Sequence, residues 1–323
     1  MTIVVAGYEG NEIFIIADSA ITSGQKTLIS GFKKTYSIPI VLHKPYILRT
    51  FRNYSPFRSY EGESVIALAG STLTAQHVIN TIAGHLDKIR FIHDYDSNGI
   101  KYSLIRHCNT RDNPFYRPEY TEYDDDVYLD RDLYNSINID DIKNIIQYSI
   151  QEALSSASKH ICNEADWSRI INNEYLFTLN CPKTRKNFLY KVDLNEIEVE
   201  GIVKAIPNLI EIPRGILAII GMKDYEKELN DLYTKLTETP SKISLEMLSF
   251  VEKIIDDCNS KGNMSVAKPI IYKRFNGKLL KSLTINRNGE WVKLDIDETP
   301  LRIINKEKEL SLHDFPLCTF GKF

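Results

Sequence analysis

Two apolar runs immediately behind Met1, joined by a short turn, constrain this chain more than any other stretch. Met1-Thr2-Ile3-Val4-Val5-Ala6-Gly7-Tyr8 turns at Glu9-Gly10-Asn11 and returns as Glu12-Ile13-Phe14-Ile15-Ile16-Ala17-Asp18. β-Branched and aromatic residues around a Gly/Asn turn are the pattern of an antiparallel hairpin. With the turn centred on Gly10, Thr2 lies opposite Asp18. A third run, Phe32-Lys33-Lys34-Thr35-Tyr36-Ser37-Ile38, alternates. Phe32, Lys34, Tyr36 and Ile38 share the inward face, and Lys33, Thr35 and Ser37 the other. A lysine on an apolar face needs a partner, because an unpaired ammonium out of water is costly. Asp18, ending its own buried strand, is the partner at hand.

Processing adds chemistry to this edge. Methionine followed by a small residue such as threonine is normally trimmed, which leaves Thr2 at the N-terminus. Its hydroxyl then sits beside a free α-amine with a reference pKa of about 7.7–8.0, near the ideal for a general base. Nucleophile, base, buried lysine and orienting aspartate arise from one region of sheet. The plainer alternative is an ordinary hairpin followed by a surface Lys-Lys pair.

The stretch Thr2-Ile3-Val4-Val5 … Ala17-Asp18-Ser19-Ala20-Ile21-Thr22 … Gly31-Phe32-Lys33-Lys34 resembles the proteasome β-subunit family of N-terminal nucleophile (Ntn) hydrolases, including its bacterial heat-shock and ancestral bacterial relatives. The resemblance implies that Thr2, Asp18 and Lys34 form the catalytic set. Ala69-Gly70-Ser71 resembles the family's oxyanion turn, with the Gly70 N–H as donor, and free N–H groups at a helix start do attract negative charge. Asp257-x-x-Ser260 matches a supporting pair, with Lys261 where the family has glycine. Ile220-Gly221-Met222-Lys223 departs from the family's Ile-Gly-Ser-Gly turn: Met222 replaces an auxiliary serine. Residues matching the family's substrate pocket are Ile21, Thr22, Phe32, Tyr36, Leu68 and Thr72, mainly apolar and uncharged.

Composition narrows the alternatives. At 323 residues, 43% hydrophobic and 26% charged, the chain has the make-up of a soluble globular protein. A net charge of −3 makes no electrostatic case for nucleic acid or anionic membranes. No apolar run is long enough to span a bilayer. Five scattered cysteines suggest reduced thiols and a cytoplasmic location. Neither His107-Cys108 nor His160-Ile161-Cys162 has zinc spacing, and buried core thiols are expected instead. No metal or cofactor is expected.

Along the chain, residues 43–60 are basic and aromatic and read as an interface loop within an insertion at about 39–63. A strand over 64–69 leads into a helix with apolar positions from Ala75 to Ile89. Periodicity fails at about 94–139, a second insertion containing the acidic, tyrosine-rich run from Tyr123 to Asp130. A helix over about 140–157 follows, then a hairpin (174–180 and 187–193), strands near 198–203 and 215–221, helices over 224–236 and 244–255, and tail strands near 270, 283 and 291. Residues 1–275 read as the hydrolase domain and 276–323 as a strand extension and tail.

This order predicts an α+β fold, which the resemblance refines to a four-layer αββα Ntn-hydrolase sandwich of two antiparallel sheets between helix layers. The implied function is threonine-dependent peptide hydrolysis on peptide or unfolded-protein substrates, in a homo-oligomer (ring or helical stack), with room for an ATPase or other delivery partner. A small-molecule amidase and a catalytically silent assembly protein are the alternatives, Met222 being the best argument for the second.

Overall fold

The computed structural model describes residues 2–23, 26–96, 99–117, 122–123, 130–161, 163–199, 202–238, 242–285 and 290–293. The acidic run after Tyr123 and the tail beyond Lys293 lie outside them.

The opening hairpin is β1 (Ile3–Glu9) and β2 (Glu12–Ala17). Its turn is the two-residue loop Gly10-Asn11, with Glu9 opposite Glu12 and Gly10 at φ +61°, as such tight turns require. This corrects the register by one residue: Asp18 faces Ile3, not Thr2, and its N–H donates to the Ile3 carbonyl at 3.1 Å. The predicted polar loop after Asp18 is partly a small hairpin, β3 (Ile21–Ser23) with β4 (Lys26–Ile29). Then come β5 (Thr35–His43), the hairpin β6 (Pro45–Leu48) and β7 (Thr50–Tyr54), β8 (Tyr60–Ala69) and α1 (Thr72–Leu86). Helix α1 ends before Ile89, which begins a strand instead.

That strand, β9 (Ile89–Asp96), pairs with β10 (Gly99–Ile105), so the second insertion opens with regular structure where periodicity suggested none. It continues through α2 (Asp130–Ser136) to α3 (Ile139–Ser158), α4 (Glu164–Ile171), β11 (Glu174–Asn180), β12 (Asn187–Val199) and β13 (Ile202–Ile212). The chain closes with β14 (Ala218–Gly221), α5 (Glu226–Thr237), α6 (Ile243–Ser260), β15 (Ile270–Phe275), β16 (Leu279–Ile285) and β17 (Trp291–Lys293).

Two large sheets result, ordered β14-β1-β2-β15-β16-β17 and β10-β9-β5-β8-β11-β12-β13. Apolar side chains divide among three clusters by strand parity. Ile3, Val5, Phe14 and Ile16 pack with Leu248, Val251 and Ile255 of α6. Val4, Ala6, Ile13 and Ile15 take the opposite face and meet Val65, Ala67 and Leu176 of the second sheet. Tyr36, Ile38 and Ile66 pack with Val78, Ile82, Ile146 and Ile150 of α1 and α3. A strand covered on both faces has no outward side, so Thr35 and Ser37, expected opposite the core, are also buried.

The two insertions bind each other. Phe51 stacks on Phe115 with centroids 4.9 Å apart, Asn113 Nδ2 donates to the Tyr54 hydroxyl at 2.9 Å, and Arg90 lies 4.6 Å over the Tyr54 ring. Aromatic side chains of the first insertion are thus packed against the second insertion and against Arg90 of β9. No helix of the described residues is long and apolar enough to cross a membrane.

Candidate active site

Asp18 leaves β2 fully buried, and three donors make four hydrogen bonds to its carboxylate. The Ile3 N–H donates to Oδ1 and the Ala20 N–H to Oδ2, each at 2.9 Å. The Lys34 ammonium donates to both, at 2.8 and 2.9 Å. A carboxylate so saturated is held in one orientation. Lys34, just before β5, is 3% exposed, and its Nζ also donates to Thr2 Oγ1 at 2.8 Å. Burial pushes the Lys34 pKa down, while Asp18 pulls it partly back. An ammonium more willing to give up its proton thus lies against the Thr2 hydroxyl.

The main chain of Thr2 is held as firmly. Met222 N–H donates to the Thr2 carbonyl at 2.6 Å. Gly221, at φ +87°, passes so close that a Cβ there would stand 2.0 Å from that oxygen. The Met222 side chain turns away into the apolar cluster under α6 and is 2% exposed.

Thr2 opens onto a cavity of about 550 Å³. Ala20, Ile21, Thr22, Phe32, Leu68 and Thr72 line it with Lys34, Gly70, Asn172, Glu174 and Gly221. Gly70 ends β8 at φ +122°, and a Cβ there would meet the Asn172 carbonyl at 2.7 Å and Asn173 Oδ1 at 2.6 Å. Only glycine fits this wall.

The structure therefore brings together Thr2, Asp18, Lys34, Gly70, Ile21, Thr22, Phe32, Leu68 and Thr72. It does not bring Tyr36 into the cavity. Tyr36 packs in the cluster under α1, and its hydroxyl is 3.3 Å from Gln76 Oε1. The alternation that points Tyr36 inward is right, but inward here means helix rather than cavity. Asp257 and Ser260 also fall outside the lining. Asp257 accepts from the Tyr225 hydroxyl and from Lys261, each at 2.6 Å, and Ser260 donates to the Asp257 carbonyl at 2.8 Å. Both lie in the last turn of α6, where Ser260 and Lys261 bond to Asp257 within the helix end and Tyr225 reaches it from the start of α5. The core-thiol expectation fails for Cys108, which is exposed, 3.6 Å from His85 Nε2, and Cys162 lies outside the described residues; Cys181 and Cys258 are free and buried. Among the described residues no cluster of three or more His, Cys, Asp or Glu side chains could hold a metal ion.

Two solved structures of Anbu proteins are similar to this chain over most of its length. One is a Gly-1 mutant from Hyphomicrobium sp. strain MC1, 17% identical, with a TM-score of 0.49, covering 90% of this chain and 89% of that one. The other, described as an ancestral β-subunit, is from Yersinia bercovieri: 16% identical, TM-score 0.47, covering 89% and 88%. No family model and no curated protein sequence matches the chain.

Sequence reasoning missed Glu174, Asn172 and Gly221 as cavity residues. Glu174 carried one signal: a carboxylate opening an otherwise apolar strand, where a charge needs a purpose.

Proposed function

We propose that this chain is an Ntn hydrolase that cleaves peptide bonds with Thr2 as nucleophile. The observation that carries the reading is the single ammonium of Lys34 bridging Thr2 Oγ1 and Asp18 in the wall of the cavity. Once Met1 is removed, Thr2 Oγ attacks the amide carbonyl and its own α-amine takes the hydroxyl proton. Lys34 stabilises the developing alkoxide, and Asp18 holds Lys34. The Gly70 N–H donates to the oxyanion. The tetrahedral intermediate expels the amine, which leaves with the proton, and water then hydrolyses the acyl-threonine ester. Asp257 and Ser260 take no part, and no cofactor is required.

The partition of apolar side chains into three clusters supports reading the two sheets and their helices as the four-layer αββα sandwich of that class. The domain extends over 1–275, with the insertions at 39–63 and 94–139 docked on each other. We further propose a homo-oligomer. The support is the resemblance of the stretch carrying Thr2, Asp18 and Lys34 to a family of assembled subunits; light scattering that returns a clean monomer would count against it.

The test is covalent labelling of purified, Met1-free protein by an electrophilic peptide, located by mass spectrometry. Wild type should be labelled on Thr2, Thr2→Ser more slowly, and Thr2→Ala and Met1-retaining protein not at all. An amide nitrogen cannot accept the proton, so a retained Met1 removes the base. Unabated peptide hydrolysis by Thr2→Ala would refute the mechanism.

A further inference from the structure

In the cavity that Thr2 lines stands a carboxylate that the mechanism above does not use. Glu174 opens β11 opposite Ala69 of β8, and its side chain lines the cavity. Its Oε2 accepts the Gly221 N–H at 2.6 Å. The next peptide, Met222 N–H, donates to the Thr2 carbonyl, also at 2.6 Å. Gly221 is glycine because Thr2 leaves no room for a side chain, and glycine is the residue least able to hold a conformation alone. The turn carrying Thr2 is therefore fixed from outside, by Glu174 at Gly221 and by the buried Met222 side chain one residue on. A peptide N–H to an ionised carboxylate is among the stronger tethers available. We propose that Glu174 is a positioning residue that holds Thr2 in attacking geometry through the Gly221–Met222 turn, in a site where residue 222 offers no hydroxyl. This rests on the Ntn-hydrolase reading.

The charges around Glu174 extend the argument. Lys223 Nζ lies 3.4 Å and Lys191 Nζ 3.6 Å from Glu174 Oε1, while Lys191 is shared with Asp193 at 3.0 Å and Lys223 also donates to the Ile219 carbonyl at 2.9 Å. Thr2 and Glu174 line one cavity, with Lys34 and Asp18 beside Thr2 and Lys223 and Lys191 beside Glu174. Of these, the carboxylates favour the protonated form of the amine that Met1 removal frees at Thr2, and the lysines oppose it. A tether of purely structural value would leave the amine's titration alone.

The experiment follows Thr2 labelling by a peptidyl vinyl sulfone, separating the maximal rate from the half-saturating concentration, with circular dichroism confirming the fold. Glu174→Ala should lower the maximal rate about 10²-fold, the scale of a small misplacement of a reacting group, with little change in half-saturation. Glu174→Gln keeps an acceptor for Gly221 N–H and should recover most of that rate. It should also move the acid limb of the pH profile to lower pH, and Lys223→Met should move it to higher pH. Should Glu174→Ala fail to fold, these opposite shifts decide. Equal labelling of wild type and Glu174→Ala would overturn the positioning role alone, as would a Gln variant with an unmoved limb. Wild type that never labels on Thr2 would overturn the hydrolase reading and this inference with it.

Discussion

Lys34 Nζ lies 2.8 Å from Thr2 Oγ1 and 2.8 Å from Asp18 Oδ1, so one buried ammonium connects a hydroxyl at the cavity to a carboxylate that water does not reach. Its neighbour Lys33 is half-buried and sits 5.7 Å over the Tyr36 ring. Lys34→Ala should abolish Thr2 labelling and, by removing the cationic partner of buried Asp18, destabilise the fold by about 3–5 kcal/mol. Lys33→Ala should stay within about 0.5 kcal/mol of wild type. Urea melts run beside the labelling assay check both, and equal effects of the two substitutions would contradict the geometry.

Gly221→Ala places a methyl group against the Thr2 carbonyl and forces an L side chain into a left-handed conformation. The backbone term alone is about 1–3 kcal/mol, and displacement of Thr2 should remove labelling. Gly84, exposed in α1 with open space around its Cα, is the control. Gly84→Ala should stabilise the protein by up to about 1 kcal/mol without altering labelling. Thermal and denaturant melts of the two variants give the comparison.

Specificity should follow the cavity lining. Ala20, Ile21, Phe32 and Leu68 are apolar, and the charged members, Lys34 and Glu174, are each ion-paired. Fluorogenic peptides with bulky apolar or aromatic side chains before the cut should therefore be preferred. Cleavage chiefly after Asp or Glu would show that this cavity does not select that side chain.

Alkali should unfold the protein through its tyrosines. Burial pushes Tyr36 and Tyr60 up to about 12, and Tyr54, Tyr175 and Tyr190 higher still. The folded chain keeps these phenols protonated above pH ~10, where the unfolded chain ionises them, so stability falls as pH rises beyond that point. Lys34 acts in the opposite direction. Its folded pKa is lowered, so its share of stability grows with pH between that value and about 10.5. The raised phenols outnumber the lowered ammonium, so a net loss should remain. Absorbance at the phenolate band should rise in one cooperative step together with loss of circular dichroism. Gradual ionisation at ordinary pH with the fold intact would be the contrary result.

Much of the site was legible because its residues lie close in sequence and are unusual for their surroundings. Lys34 on an apolar face and Asp18 at the end of an apolar strand each demand a partner, and burial makes the demand expensive to ignore. The opening hairpin, β8 running into α1 and the paired helices α5 and α6 follow from periodicity of two and of 3.6, which local sterics impose. The α4 helix and the β9–β10 hairpin did not follow, since short elements in charged sequence carry little periodic signal.

What sequence determined by itself, then, was the chemistry each residue could perform and the strands and helices able to carry it. The tertiary structure alone decided which of those residues meet. Strand parity gives two faces but cannot say which face meets helix, sheet or cavity. That is why Lys34 reaches Thr2 while Tyr36, two residues on, is spent on the core. A two-residue turn rather than one centred on Gly10 set Ile3, not Thr2, opposite Asp18, a difference of one residue that only backbone geometry fixes. Glu174 enters the site from β11, and Gly221 closes on Thr2 from the far edge of the first sheet. The pairing of Ile3 with Gly221 and the bond from Gly221 to Glu174 join distant parts of the chain through sheet packing, which no local pattern encodes.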